Sequence, residues 1–278
     1  MASGISLHIG LNSVSAGAYG GWSGKLNACE ADANDMDALA KSLGFRTTKL
    51  LTRAGTRVKV LNAIKSAAAK LVSGDIFFLT YSGHGGQLPD MNGDENDNQD
   101  ETWCLYDGEL VDDEINWALC DFKSGVRVLA LSDSCHSGTA TKAIERKADS
   151  TTFDVAAQVL RNADGVAIRM MPPSYLLGAY YRQKKAYDKV LKRPAPPVPK
   201  ASVLLISGCQ DDQTSADGDF NGLFTGTLKK VWGSGAFIGS YRDFHKAIVA
   251  KMPASQKPAL FLSGASNPKF IMQTPFTV

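Results

Sequence analysis

The chain has 278 residues, enough for one large domain or two small ones around a sizeable core. Hydrophobic residues make up 44% and charged residues 21%, and the net charge is +2, so charge gives no reason to expect a nucleic-acid partner or an acidic membrane surface. The longest apolar runs, such as 76–79 and 203–206, have strand length, so no transmembrane helix is expected.

The amino-terminal MASGISLHIGLN has no basic start leading into a continuous apolar stretch, so no secretory signal is read. Five cysteines (Cys29, Cys104, Cys120, Cys135, Cys209) form an odd set without a CxxC pair. That pattern favours a reducing compartment over a disulfide framework, and the cytoplasm is the expected location.

Along the chain, apolar runs alternate with helical patterns, which predicts an α/β fold around a mainly parallel sheet. Residues 5–11 alternate as a first strand. A helix follows over 32–43, with Met36, Leu39, Ala40 and Leu43 on one face and Gly44 at its end. A short strand is expected over 49–51. Thr56 then caps a helix whose Val60, Leu61, Ile64, Ala68 and Leu71 share a face, closed by Gly74.

Three nearly all-apolar runs, 75–81, 126–131 and 202–207, suit strands buried on both faces. Between the first two lie an acidic loop and a short helix near 113–119. After the third, helices are expected over 222–232 and 240–252, and a last strand over 259–262. Residues 140–200 break this rhythm. They are rich in Lys and Arg and end in the proline-dense stretch 193–200, a semi-rigid connector. The expected organisation is a catalytic part over 1–140, a basic insert or linker over 141–200, and a part over 201–278 that completes the same sheet.

Two of the buried-strand runs end in polar clusters, Ser82-Gly83-His84-Gly85-Gly86 and Asp133-Ser134-Cys135-His136-Ser137-Gly138. Sites in open α/β sheets form at the carboxyl ends of strands, and neighbouring parallel strands would bring these clusters side by side. A cysteine attacks a carbonyl as its thiolate, and a nearby imidazole can take the proton. The glycines let backbone approach a substrate and offer N–H groups to a developing oxyanion. Taken singly, Cys135 also reads as a small buried hydrophobe and His84 as part of a capped turn. Their order and strand context favour the catalytic pair. His136, adjacent to Cys135 on one turn, is poorly placed to face it.

TYSGHGG, followed about fifty residues later by ALSDSCHSG, resembles the catalytic core of metacaspases and their bacterial relatives among the caspase-like cysteine peptidases. The His-before-Cys spacing is the one described for caspases, while the D-x-C-H-S-G string is the metacaspase form. The resemblance covers about 3–138 and resumes from Ser202 through GCQDDQTSAD to about Trp232. It implies a caspase-like fold, a mostly parallel central sheet flanked by helices on both faces, and a His84–Cys135 dyad with an oxyanion hole from the N–H groups of Gly85 and Cys135.

It further implies that Cys29, Asp32, Ser82 and Asp133 line the S1 pocket. Two carboxylates in a partly desolvated pocket favour a basic residue, so protein or peptide substrates with Arg or Lys at P1 are expected, Arg preferred for its bidentate geometry. From residues alone, Asp32 also reads as a solvated acid in the first turn of a helix.

Calcium-dependent members of the family bind the ion with carboxylates matching Asp100, Asp112 and Asp113. A fourth acid falls on Lys142, with Glu109 or Glu114 as candidate substitutes. Asp112 and Asp113 also read as the N-cap and first residue of the helix that follows. The stretch 90–101 departs from an EF-hand, with Glu95 where glycine is required. Arg146, Lys147, Arg161, Arg169, Arg182, Lys184 and Lys185 make the insert a candidate for self-cleavage or for occluding the site, and equally a cationic surface helix. A monomer is expected by analogy. The alternative is a catalytically silent caspase-like binding or regulatory module. A legumain- or gingipain-like thiol peptidase and a zinc protein are further alternatives.

Overall fold

The structure, a computed structural model, describes residues 2–93, 99–135, 151–154, 159–162, 164–209 and 213–278, with 151–154 described for the backbone only. The chain opens with β1 (Gly4–Gly10), α1 (Cys29–Ser42), β2 (Arg46–Leu51), α2 (Arg57–Lys70) and β3 (Ile76–Ser82). A polar arm follows, made of β4 (Gly85–Pro89), β5 (Gln99–Leu105) and β6 (Gly108–Val111), then α3 (Asp112–Leu119) and β7 (Arg127–Asp133). Next come β8 (Thr151–Asp154), β9 (Val159–Asn162) and α4 (Pro173–Leu191). The chain closes with β10 (Ser202–Ser207), α5 (Leu223–Trp232), α6 (Tyr241–Val249), β11 (Ala259–Gly264) and α7 (Pro268–Met272).

Six strands form the central sheet in the order β11-β10-β7-β3-β1-β2. All neighbours pair in parallel except the β10–β11 edge. Alternation along the buried strands supplies both faces of the sheet. Leu7, Phe77, Leu79, Val128 and Val203 pack with Val60 and Ile64 of α2 and Ala118 of α3. Ile76, Phe78, Leu129, Leu204 and Ile206 face the other way, against Met36 of α1, Phe224 and Leu228 of α5 and Phe244 of α6. The expected α/β layering, helices on both faces, is therefore the one observed. The proposed carboxyl-terminal part adds β10 and β11 to the same sheet.

Because β1 pairs with both β2 and β3, the chain reverses direction across the sheet beside β1, and a crevice opens at the carboxyl ends of these strands. The loops after β1, β3, β7 and β10 all emerge there. Gly10 makes one close approach possible: a Cβ on it would lie 2.2 Å from the Cys29 carbonyl. Its absence lets the start of α1 sit directly on the end of β1.

Several local expectations need correction. The acidic stretch is flanked by a three-stranded antiparallel sheet in the order β4-β5-β6, not by an irregular loop. Thr56 holds the N-cap position of α2, but its side chain makes no capping bond. Val111, not Asp112, is the N-cap of α3, and its N–H is taken by Glu114 at 3.3 Å. The basic insert carries a hairpin and a 19-residue helix. Arg146 and Lys147 lie outside the described residues. Among the described residues, no helix is long and apolar enough to cross a membrane.

Candidate active site

Ser82 and Asp133 are the last residues of β3 and β7, and the parallel register pairs them directly. The two polar clusters that follow therefore start side by side. Gly83 donates its N–H to the Asp133 carbonyl at 3.4 Å, and β4 then leaves the sheet immediately after His84.

His84 is buried under Trp22, their ring centroids 4.7 Å apart. Its Nε2 lies 3.1 Å from the Gly24 carbonyl, which makes Nε2 the protonated nitrogen and leaves Nδ1 as the acceptor. Burial lowers its pKa to about 4, against the opposing pull of Asp217 and the Gly24 carbonyl. Cys135 is also fully buried. Its sulfur lies 2.5 Å from the Ser215 N–H and 3.5 Å from the Ser215 carbonyl. Trp22 in turn stacks on Tyr175 of α4 at 6.3 Å.

The N–H groups of Gly85 and Cys135 converge on a single oxygen, the carbonyl of Arg169, at 3.0 and 3.1 Å. Two backbone donors on one carbonyl oxygen form the geometry that stabilises a tetrahedral oxyanion. Here a carbonyl of the chain itself fills it.

The side chain of Arg169 continues into the acidic cleft, with no exposed surface. Nη2 meets Asp32 Oδ2 at 2.8 Å and Asp217 Oδ1 at 2.9 Å, and Nη1 meets Asp133 Oδ2 at 3.0 Å. Nη1 also donates to the Ser82 hydroxyl at 2.9 Å and the Asp133 carbonyl at 3.2 Å, while Nε donates to Asp217 Oδ1 at 3.3 Å. Ser82 passes its own proton to Asp32 at 2.8 Å. Burial opposes the charge on Arg169, but Asp133, Asp32 and Asp217 together hold its pKa well above the ordinary value. Burial raises the Asp32 carboxyl despite Arg169, because one guanidinium does not neutralise three carboxylates. Cys29 lies beside Ser82, and burial keeps its thiol strongly protonated.

The segment leading into Arg169 is held as an extended strand on both sides. Arg169 donates to the Ser215 carbonyl, Asp217 donates to the Ala167 carbonyl, and Ile168 bridges Ala216 antiparallel. On the other side, Ile168 donates to Leu160 of β9. Past Arg169 the chain turns, with the Met170 N–H bonded to the Ile168 carbonyl, and Met171 then donates to Gly85. This strap, 166–171, lies across the carboxyl ends of the central strands.

The structure therefore brings Cys29, Asp32, Ser82 and Asp133 into one cleft, with Gly85 and Cys135 at its lip. Asp32 is only 1% exposed, so it is not the solvated helix-start acid. Two residues of the cleft escaped the sequence reading. Arg169 appeared only as one of seven basic residues in the insert. Asp217 stood in the QTSAD string with no role attached.

The acids considered for calcium behave differently. Asp113 takes the Asp112 side chain on its N–H, and its carboxylate accepts the Asn92 amide at 3.1 Å. Glu114 pairs with Arg57 at 2.7 Å, and Glu109 is buried against the Thr102 hydroxyl. Asp100 is buried in β5. Among the described residues no three His, Cys, Asp or Glu side chains are grouped to hold a metal ion. Lys142 lies outside the described residues.

Comparison with known proteins gives a consistent neighbourhood. A caspase domain family model matches residues 13–273. Metacaspase-1A of Aspergillus niger is 30% identical over 85% of this chain, which spans 62% of that relative's length. Metacaspase-1 of Emericella nidulans is 30% identical over 98% of this chain and 71% of its own. A Geobacter sulfurreducens protein of known crystal structure is 50% identical, with a TM-score of 0.88 over 99% of both chains. Caspase-1 from Spodoptera frugiperda shares the fold at a TM-score of 0.53 and 10% identity, over 95% of this chain and 86% of its own.

Proposed function

The chain belongs to the caspase domain family as a metacaspase-like member, and on that premise we propose that it is a cysteine endopeptidase that cleaves after Arg or Lys, Arg preferred. The observation that carries this is Arg169. Its guanidinium fills the cleft of Asp32, Ser82 and Asp133 while its carbonyl accepts from Gly85 and Cys135. A basic P1 residue of a substrate, bound the same way, presents its scissile carbonyl at the lip where Cys135 stands.

In the reaction, His84 Nδ1 takes the Cys135 proton, and the thiolate attacks the P1 carbonyl carbon. The two N–H groups hold the resulting oxyanion. The C–N bond then breaks, His84 returns the proton to the leaving amine, and a thioester remains. Water, deprotonated by His84, hydrolyses it to a carboxylate and the free thiol. The uncharged imidazole favoured by burial can accept a proton.

Self-processing belongs to the same proposal, at the Arg169–Met170 bond. The observed arrangement is a latent form of the enzyme, because Cys135 is turned to the Ser215 backbone and the strap closes the cleft. The monomeric state and cytoplasmic location are carried as parts of this proposal. Calcium activation is a separate one, carried by the resemblance alone, and is read as activity on the same peptide with calcium or with a chelator.

The test is a set of fluorogenic peptides with Arg, Lys or Asp at P1, together with mass spectrometry of the purified chain. We expect turnover in the order Arg, Lys, Asp, a chain break after Arg169, and loss of both in Cys135→Ala. Equal turnover of Asp at P1 overturns the specificity. No turnover of any peptide by a strap-free variant selects the catalytically silent module.

A further inference from the structure

Asp217 follows Ala216, which bridges Ile168 of the strap, and lies outside the four positions on which the specificity proposal was built. It is 4% exposed, and both its oxygens are used. Oδ2 accepts the Asn27 N–H at 2.7 Å, and Oδ1 accepts the Ala28 N–H at 3.3 Å. Oδ1 also takes two donors from one edge of the guanidinium, Nη2 at 2.9 Å and Nε at 3.3 Å.

That division matters chemically. Asp32 and Asp133 each meet a terminal nitrogen of Arg169, Nη2 and Nη1. A lysine ammonium placed among them can satisfy either carboxylate. Asp217 alone meets Nε, a donor that lysine does not have. We infer that Asp217 is a third specificity residue of this pocket, which takes the Nε edge of a P1 guanidinium and so selects Arg over Lys. The inference rests on the reading of the cleft as the P1 pocket.

The same carboxylate ties the loop before α1 to the substrate-pairing strand, so a purely structural role is the competing explanation. The two separate by selectivity. Loss of a positioning group lowers Arg and Lys turnover together, whereas loss of an Nε acceptor lowers Arg turnover selectively.

The experiment uses the full chain with Arg169→Ala, which empties the cleft, with and without Asp217→Asn. Values of kcat/KM are measured on paired peptides that differ only in Arg or Lys at P1. Asparagine keeps the shape and an oxygen acceptor but removes the charge. We expect the Arg peptide to lose about tenfold or more and the Lys peptide less than about threefold, as for loss of one charge-assisted hydrogen bond. An unchanged Arg/Lys ratio overturns the inference, and retained Lys turnover shows that the variant is folded. A second arm needs no catalysis: thermal stabilisation by agmatine, a guanidinium, is compared with that by cadaverine, an ammonium. Asp217→Asn is expected to erase the preference for agmatine; its persistence also overturns the inference. If neither peptide is cut yet agmatine binding follows Asp217, the peptidase reading fails and this one stands.

Discussion

The acidic cleft and Cys135 beside it begin on the same pair of strand ends, yet they stand in opposite conditions. In the cleft, both oxygens of Asp32 and both oxygens of Asp133 accept hydrogen bonds. Asn221 and the Gly222 N–H serve one oxygen of Asp32, Thr225 and Ser215 serve Asp133, and Arg169 joins the two acids. Beside it, His84 Nε2 donates to the Gly24 carbonyl, and Cys135 faces the Ser215 backbone. The cleft is fully assembled and satisfied by the chain's own arginine, while Cys135 and His84 are each held by backbone groups, Ser215 and Gly24. A buried ionic cluster is stable only when its charges are matched, so the residue that completes the cleft is also the one that blocks it.

Removing that residue is the strongest way to break the contrast. Arg169→Ala leaves three buried carboxylates around an empty space, and we expect a loss of stability of about 3 to 5 kcal/mol near neutral pH, the usual cost of orphaning a buried charge. The deficit should shrink as pH falls through the carboxylate range. Burial already raises the Asp32 carboxyl above its ordinary value with the cation present, so without it Asp32 takes up a proton first and relieves the repulsion. Urea unfolding of both proteins at pH 5 and pH 7.5 reads this directly. A deficit that does not grow with pH would mean that the strap, not its charge, supports the fold. Once folded, the same variant should gain activity on peptides added in solution.

Much of the sheet was legible because burial on both faces leaves a continuous apolar run, as at Ile76–Leu79 and Val203–Ile206. The acids Asp32 and Asp133 stood inside recognisable strings. The arm β4-β5-β6 was not legible, since Gln87, Thr102 and Glu109 put polar side chains on strands that pack beside the site, and the acidic run between β4 and β5 reads as loop. Nor was Arg169. Nothing in its local pattern separates it from the other basic residues of the insert, because its partners lie 36 to 137 positions away along the chain. Side-chain pairing at that separation is a product of topology, not of local periodicity.

A smaller change should sharpen the contrast without touching any charge. Gly222 precedes α5, and a Cβ there would stand 2.5 to 2.6 Å from the guanidinium atoms of Arg169. Its backbone, at φ −58° and ψ 152°, suits any residue, so the effect of Gly222→Ala is steric crowding of the cleft alone. With the cleft emptied by Arg169→Ala, we expect added Gly222→Ala to lower kcat/KM for an Arg peptide roughly tenfold or more, the scale of an overpacked contact. The nucleophile should remain competent, which labelling of Cys135 by a small alkylating reagent measures. Unimpaired Arg turnover would show that the cleft yields more readily than its packing indicates.

The last expected effect lies on the other side of the contrast, beneath the arm that carries Gly85. A Cβ on Gly86 would meet the Glu109 carboxyl at 2.6 Å, so Glu109 underlies the strand that bears Gly85. Burial raises its pKa to about 8, only partly offset by the Thr102 hydroxyl and Arg57. Its folded pKa stands above the unfolded value of about 4.5, so the stability it contributes is present below pH 4.5 and is lost as pH rises through about 8. His84 acts in the opposite sense: lowered to about 4, it costs stability as pH falls from 6.5 toward 4. Glu109→Gln cannot ionise. It also forfeits some hydrogen bonding to Thr102 at every pH, so the slope and not the absolute value is informative. Relative to wild type, the variant should gain about 2 to 4 kcal/mol between pH 5 and pH 8, measured by denaturant unfolding at three pH values. A flat difference would place an ionised carboxylate beneath the arm at pH 5, with a cation or water at its free oxygen.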